Sequence, residues 1–257
     1  MAMRDFFIPN GMRTRGTIII VPGRGEAPAV YARLGSRLAY DAYRVRVTDL
    51  PGTDPADVAA FLRELAQGLA RAVEDIGDEL ARPLVLLGSD LGAAGIAALL
   101  ADVVPDAVVP DAGWWPQAAV LAGVPGYRAR YDGGWEDELN IRTYCPTHRG
   151  VLADGAAVQP GRLAAVVPDP LLDAAYQSAA DVPQLLLAGE ADPLADRDAL
   201  ARLAKALPAA RLAVVRGGHH DVLNDLQHRS VAAEIVAFLE ALRDDLTPAV
   251  TIETSAW

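Results

Sequence analysis

Hydrophobic positions along the chain fall into short runs separated by glycine and proline, and their spacing alternates between the strand and helix periods. Thr17-Ile18-Ile19-Ile20-Val21 is β-branched, too short for a buried helix, and stopped by Pro22-Gly23. It predicts a central strand. Val30, Leu34 and Leu38 then recur at helical spacing, and Tyr43-Arg44-Val45-Arg46-Val47 alternates as a strand does. Asp57 to Leu80 is helical by period, Leu84-Val85-Leu86-Leu87 is a strand, and Ala93 to Leu100 is an apolar helix weakened only by Gly95. Ala107-Val108-Val109, Leu185-Leu186-Leu187 and Leu212-Ala213-Val214-Val215 predict three further strands. Strands alternating with helices imply an α/β fold, a mostly parallel sheet covered on both faces.

Trp114 to Ala180 interrupts this rhythm by far more residues than a turn requires. The division expected is a core of residues 1–114 and 181–257 with a cap insertion at 115–180. Three of the four tryptophans (Trp114, Trp115, Trp135) and four of the seven tyrosines (Tyr127, Tyr131, Tyr144, Tyr176) cluster there, with a predicted helix from Trp135 to Thr143. Trp114, Trp115, Tyr127, Tyr131 and Tyr144 are candidates for lining a substrate pocket; packing the insertion onto the core is the competing explanation.

Composition narrows the function classes. The chain has 257 residues, 52% hydrophobic and 22% charged, enough for one large core and unlike a disordered or rod-forming sequence. Lys+Arg is 23 against Asp+Glu 34, a net charge of −11, and only Lys205 is a lysine. Without a basic cluster, such a chain repels phosphate backbones and anionic lipid, so neither nucleic acid nor a membrane is an expected partner. The expected partner is a small-molecule substrate, and a homodimer is left open. The single cysteine, Cys145, cannot form an internal disulfide, and no apolar leader or span is evident, which together suggest a cytoplasmic protein. No dinucleotide or P-loop fingerprint occurs, and Cys145 and His148 lack companions at ligand spacing, so no cofactor and no metal are expected.

Candidate chemistry gathers at three loops. Gly88-Ser89-Asp90-Leu91-Gly92 follows a strand and precedes a helix, the context of a sharp turn that exposes its central residue, Asp90. Asp192, in Gly189-Glu190-Ala191-Asp192-Pro193-Leu194, and His220, in Gly217-Gly218-His219-His220-Asp221, follow the last two strands. Carboxyl ends of parallel strands share one edge, so Asp90, Asp192 and His220 can converge there. His219 and Asp111 are the rival imidazole and acid.

In chain order and motif the sequence resembles an α/β-hydrolase, specifically the monoacylglycerol-lipase and lysophospholipase branch. That branch carries H-G-x-G-E and a following tyrosine, similar to Pro22-Gly23-Arg24-Gly25-Glu26 and Tyr31, and a histidine loop similar to His220-Asp221-Val222-Leu223-Asn224-Asp225. The resemblance runs from about Gly16 to Leu242. It implies a catalytic triad of Asp90, Asp192 and His220, with the backbone N–H groups of Arg24 and Leu91 as an oxyanion hole. Two departures matter: the elbow serine is Asp90, and the first histidine is Pro22. A carboxylate attacking an ester would form a high-energy anhydride, whereas displacement at an sp³ carbon gives a hydrolysable alkyl ester. Aspartate at the elbow is similar to epoxide hydrolases and haloalkane dehalogenases, although the tryptophan after the dehalogenase nucleophile is Leu91 here, and the H-G-x-P loop of epoxide hydrolases is Pro22-Gly23-Arg24-Gly25. The resulting expectation is a hydrolase acting on a small apolar electrophile, an epoxide, with a cap tyrosine as acid. The alternatives are an esterase-like or lyase-type enzyme using Asp90 as general acid or base, and a non-catalytic binding protein.

Overall fold

The computed structural model describes residues 3–52, 54–101, 113–127 and 129–255. Among these, seven strands form one sheet: β1 (Arg4–Phe6), β2 (Gly16–Val21), β3 (Tyr43–Val47), β4 (Leu84–Ser89), β5 (Ala118–Ala122), β6 (Gln184–Gly189) and β7 (Ala210–Val215). The spatial order is β1-β3-β2-β4-β5-β6-β7, and every pairing is parallel except that of β1 with β3 at the edge.

Successive side chains of a strand face opposite sides, so the apolar run in β2 feeds two cores at once. Ile19 and Val21 join Leu86, Leu121 and Leu186 beneath α2 (Val58–Glu74), α3 (Leu91–Leu100) and α6 (Asp169–Tyr176). Ile18 and Ile20 join Val45, Leu87 and Leu185 beneath α1 (Ala32–Tyr40) and α8 (His228–Ala241). The remaining helices are α4 (Trp135–Arg142), α5 (Pro146–Ala153) and α7 (Arg197–Ala206). No helix among the described residues is long and apolar enough to cross a membrane.

Two sequence expectations need correction. Residues 118–122 fall inside the expected 115–180 insertion but form β5, between β4 and β6. Ala118-Ala119-Val120-Leu121-Ala122 is alanine-rich, a composition that favours helix in isolation; fully buried between two parallel neighbours, it pairs as a strand instead. The helix α6 also belongs to the core, since Leu171, Leu172 and Ala175 pack in the same apolar cluster as α3. The segment standing over the sheet edge is therefore shorter than expected and carries α4 and α5. The predicted strand at 107–109 lies outside the described residues.

Candidate active site

Asp90 occupies the tight turn between β4 and α3 with φ 49° and ψ −119°, a backbone region that non-glycine residues enter only under constraint. The constraint comes from both sides. A Cβ on Gly88 would lie 2.5 Å from Ala93 Cα, and one on Gly92 would lie 2.4 Å from the Pro22 carbonyl oxygen. The Asp90 N–H donates to Ala122 O of β5 at 2.9 Å, tying the turn to the sheet edge. Forced out by this geometry, the side chain points toward the loops following β2, β6 and β7, yet it is only 3% exposed.

The carboxylate is met from two directions. Its Oδ2 accepts from the Arg24 backbone N–H and from Arg24 Nε, each at 2.8 Å, and its Oδ1 accepts from the guanidinium's second terminal nitrogen at 2.7 Å. The other terminal nitrogen of Arg24 donates to Leu163 O at 2.9 Å and to Ala165 O, both in the segment over the site. On the far side, His220 Nε2 lies 3.2 Å from Asp90 Oδ1, a charge contact whose angle falls short of a hydrogen bond, so Nε2 has no aligned acceptor. His220 Nδ1 pairs with Asp192 Oδ2 at 2.9 Å, and Asp192 Oδ1 accepts from Leu194 N–H at 2.8 Å, which fixes the acid's rotation.

Electrostatics separates the roles. Burial pushes the Asp90 carboxyl up, but the Arg24 guanidinium and then His220 hold it well below the usual carboxylate range. It is ionised and weakly basic. Burial pushes His220 down, but Asp192 and Asp90 face it as two carboxylates and raise it to about 10. At neutral pH the ring is an imidazolium, able to give a proton before it can take one.

The structure thus brings Asp90, Asp192, His220 and Arg24 together. Leu91 opens α3 beside them and, with Arg24, Leu50, Pro55, Arg162 and Val167, lines a cavity of about 380 Å³. Arg24 stands between that cavity and Asp90. The aromatic candidates lie elsewhere. Trp114 is 6% exposed and part of the apolar core, with Trp115 packed on it, because large rings repay burial most. Tyr127 donates to Asp173, and Tyr131 to Glu138, each at 2.9 Å, while Tyr144 is exposed and stacks on His219 with ring centroids 4.0 Å apart. The expected cap-tyrosine acid is corrected accordingly: these hydroxyls already donate to carboxylates or face outward. His219 is also turned away, its Nδ1 held by Asp225 at 2.9 Å. Asp111 lies outside the described residues. Among the described residues, no cluster of His, Cys, Asp and Glu is arranged to hold a metal ion.

Sequence reasoning missed the Arg24 guanidinium, having named only its amide. It also missed a buried set of charges behind the site formed by Glu26, Glu138, Arg142 and Asp221, of which Glu26 and Asp221 stand inside the quoted motifs.

Comparison with known proteins identifies the family and the fold. The family model described as "Alpha/beta hydrolase family" matches residues 18–236. Among solved structures, the monoacylglycerol lipase of Paleococcus ferrophilus is similar with TM-score 0.71 at 17% identity, covering 94% of this chain and 98% of that one. A soluble variant of the Saccharomyces cerevisiae monoglyceride lipase, solved with a substrate analogue, gives 0.69 at 15%, covering 93% and 91%. MenH from S. aureus gives 0.59 at 14%, covering 94% and 98%. At these identities the likeness is one of fold. No curated protein matches the chain by sequence.

Proposed function

We propose that this chain, which belongs to the alpha/beta hydrolase family, hydrolyses a small apolar electrophile of the epoxide class through a covalent ester on Asp90. One observation carries this reading: Asp90 Oδ2 rests on the Arg24 N–H, while Oδ1 lies 3.2 Å from a His220 ring backed by Asp192. This arrangement supports Oδ2 as the future ester carbonyl and Oδ1 as the attacking atom.

In the first step Oδ1 attacks the epoxide carbon, the ring C–O bond breaks, and the freed oxygen takes the proton of His220 Nε2. The products are a hydroxyalkyl ester and a neutral imidazole. Esterification removes one of the two carboxylates facing His220, which favours the neutral ring needed next. His220 then takes a proton from water, and hydroxide adds to the ester carbonyl, whose oxygen is stabilised by the Arg24 N–H. Collapse expels the diol as its alkoxide, which takes the proton of the newly formed Asp90 acid. Asp90 is again ionised and His220 again protonated, so the net reaction is epoxide plus water to diol. For attack, the Arg24 terminal nitrogen must leave Oδ1, while its backbone N–H stays on Oδ2.

A low-lying Asp90 carboxyl argues against its use as a general base. The Arg24 clamp supports a second reading, in which the paired charges are permanent and the site binds without turning over. Screening styrene oxide and short-chain epoxides for diol formation, with Asp90→Ala as control, separates the two. Diol formation that needs Asp90 supports catalysis; no turnover of any epoxide supports the binding reading.

A further inference from the structure

Arg142 is the largest side chain among the described residues with no exposed surface, and its guanidinium makes no hydrogen bond or ion pair with Asp90, His220 or Asp192. Its guanidinium instead joins three distant parts of the chain. It donates to Arg24 O at 2.9 Å and pairs with Glu26 Oε1 at 3.2 Å, which fixes the loop after β2. Glu26 in turn accepts from Gly23 N–H at 2.9 Å and from the Tyr31 hydroxyl. On its own helix Arg142 Nε donates to Glu138 at 2.9 Å, and across the site it pairs with Asp221 Oδ1 at 3.3 Å, the residue next to His220. The end of α4 completes the connection, because Ile141 O accepts the His220 N–H at 3.1 Å and Arg142 O accepts the Asp221 N–H at 2.9 Å. From α5, His148 Nε2 holds the other Asp221 oxygen at 2.9 Å.

Burying one cation with three carboxylates costs desolvation that an apolar cluster of equal volume would avoid, so stability alone does not account for it. Specifying geometry does. The carbonyl that Arg142 grips belongs to the same residue whose N–H and side chain hold Asp90, and the carboxylate it grips is adjacent to the site's imidazole. We propose that Arg142 is a positioning residue: it locks the Arg24 loop and the His220 loop to α4, so that Asp90 and His220 reach working register only with that helix docked. The proposal rests on the reading of Asp90 and His220 as the working groups.

The test is a charge-matched double variant, Arg142→Met with Glu138→Gln. It replaces one cation and three carboxylates by no cation and two carboxylates, leaving the balance of formal charges at −2 in both. With circular dichroism and thermal melting confirming the fold, two readouts follow. The His220 titration midpoint, from ring nitrogen NMR, falls below about 10 as the ring loses the part of its rise that comes from Asp90, the larger part staying with Asp192. The kcat for styrene oxide falls about 100-fold with KM changed far less, the loss that misplacement of about 1 Å brings. Arg142→Lys, which keeps a charge but lacks the planar fork, gives an intermediate value of both, and it carries the same readouts should the double variant not fold. A wild-type midpoint and rate would overturn the proposal. A midpoint that rises would overturn it too, because Arg142 would then act through its charge alone. If wild-type protein turns over none of the epoxides screened while the midpoint still falls in the variant, the positioning role stands and the epoxide reading fails.

Discussion

Arg24 holds Asp90 twice, with its backbone amide on Oδ2 at 2.8 Å and with its guanidinium across both carboxylate oxygens. Residue 24 is thus both part of the expected oxyanion hole and the counter-ion of the carboxylate proposed as nucleophile. The guanidinium covers Oδ1, the oxygen proposed to attack, and the carbonyls of Leu163 and Ala165 keep the cover in place.

Removing the guanidinium tests how much this pairing matters. Arg24→Met leaves a buried carboxylate without its guanidinium, facing the residue-24 amide and His220, and breaking a buried pair from one side costs roughly 3–5 kcal/mol. Adding Asp90→Asn to the same protein removes the stranded charge and recovers much of that loss. Urea unfolding of the two single variants and the double variant measures the coupling. Additive losses would mean that the ion pair contributes little.

The histidine fixes a pH dependence of stability. His220 binds its proton more tightly when folded, with a midpoint of about 10 against about 6.5 in an unfolded chain. Its stabilisation is complete below about pH 6.5 and is lost as pH rises through about 10. Asp90, held low, contributes in the opposite sense: its part is present above the unfolded carboxyl value and lost as pH falls through the folded one. The stability advantage of wild type over His220→Gln therefore shrinks between pH 7 and pH 10, as read from urea midpoints. An advantage that grows over that range contradicts the imidazolium assignment.

Much of this organisation is legible in the residues alone, for reasons that also explain the gaps. Strands β2, β3, β4, β6 and β7 are readable because valine, isoleucine and leucine concentrate in runs bounded by turn residues. The strand β5 is hidden because alanine carries no strand signal of its own, and β1 because three edge residues make no pattern. Asp90, Asp192 and His220 can be found from chain order and strand ends. The side chain of Arg24 and all of Arg142 cannot, since an arginine in a loop or at a helix end reads as solvent-facing until the fold surrounds it with carboxylates. Aromatic residues mislead in the other direction: Trp114 suggests a pocket and fills the core.

The turn that presents Asp90 depends on having no side chain at Gly92. A methyl group there would lie 2.4 Å and 2.5 Å from the backbone oxygens of Pro22 and Val21, which have no rotamer by which to retreat. Gly92→Ala is expected to cost about 1–3 kcal/mol or more and to abolish activity with it. Gly150, exposed within α5 with nothing within 4 Å of its added methyl, gives the opposite sign: Gly150→Ala gains about 0.5–1 kcal/mol of stability. Thermal melting of both variants checks the pair of signs.

The central claim is that Asp90 forms a covalent ester, and oxygen tracing tests it most directly. Wild-type protein in excess over styrene oxide is allowed one turnover in ¹⁸O-water, and the peptide containing Asp90 is analysed by mass spectrometry. Hydrolysis at the ester carbonyl places the solvent oxygen in the Asp90 carboxylate, and His220→Gln, lacking both the acid that opens the ring and the base that cleaves the ester, places none there. Label found only in the diol, with Asp90→Ala still active, would contradict the covalent mechanism.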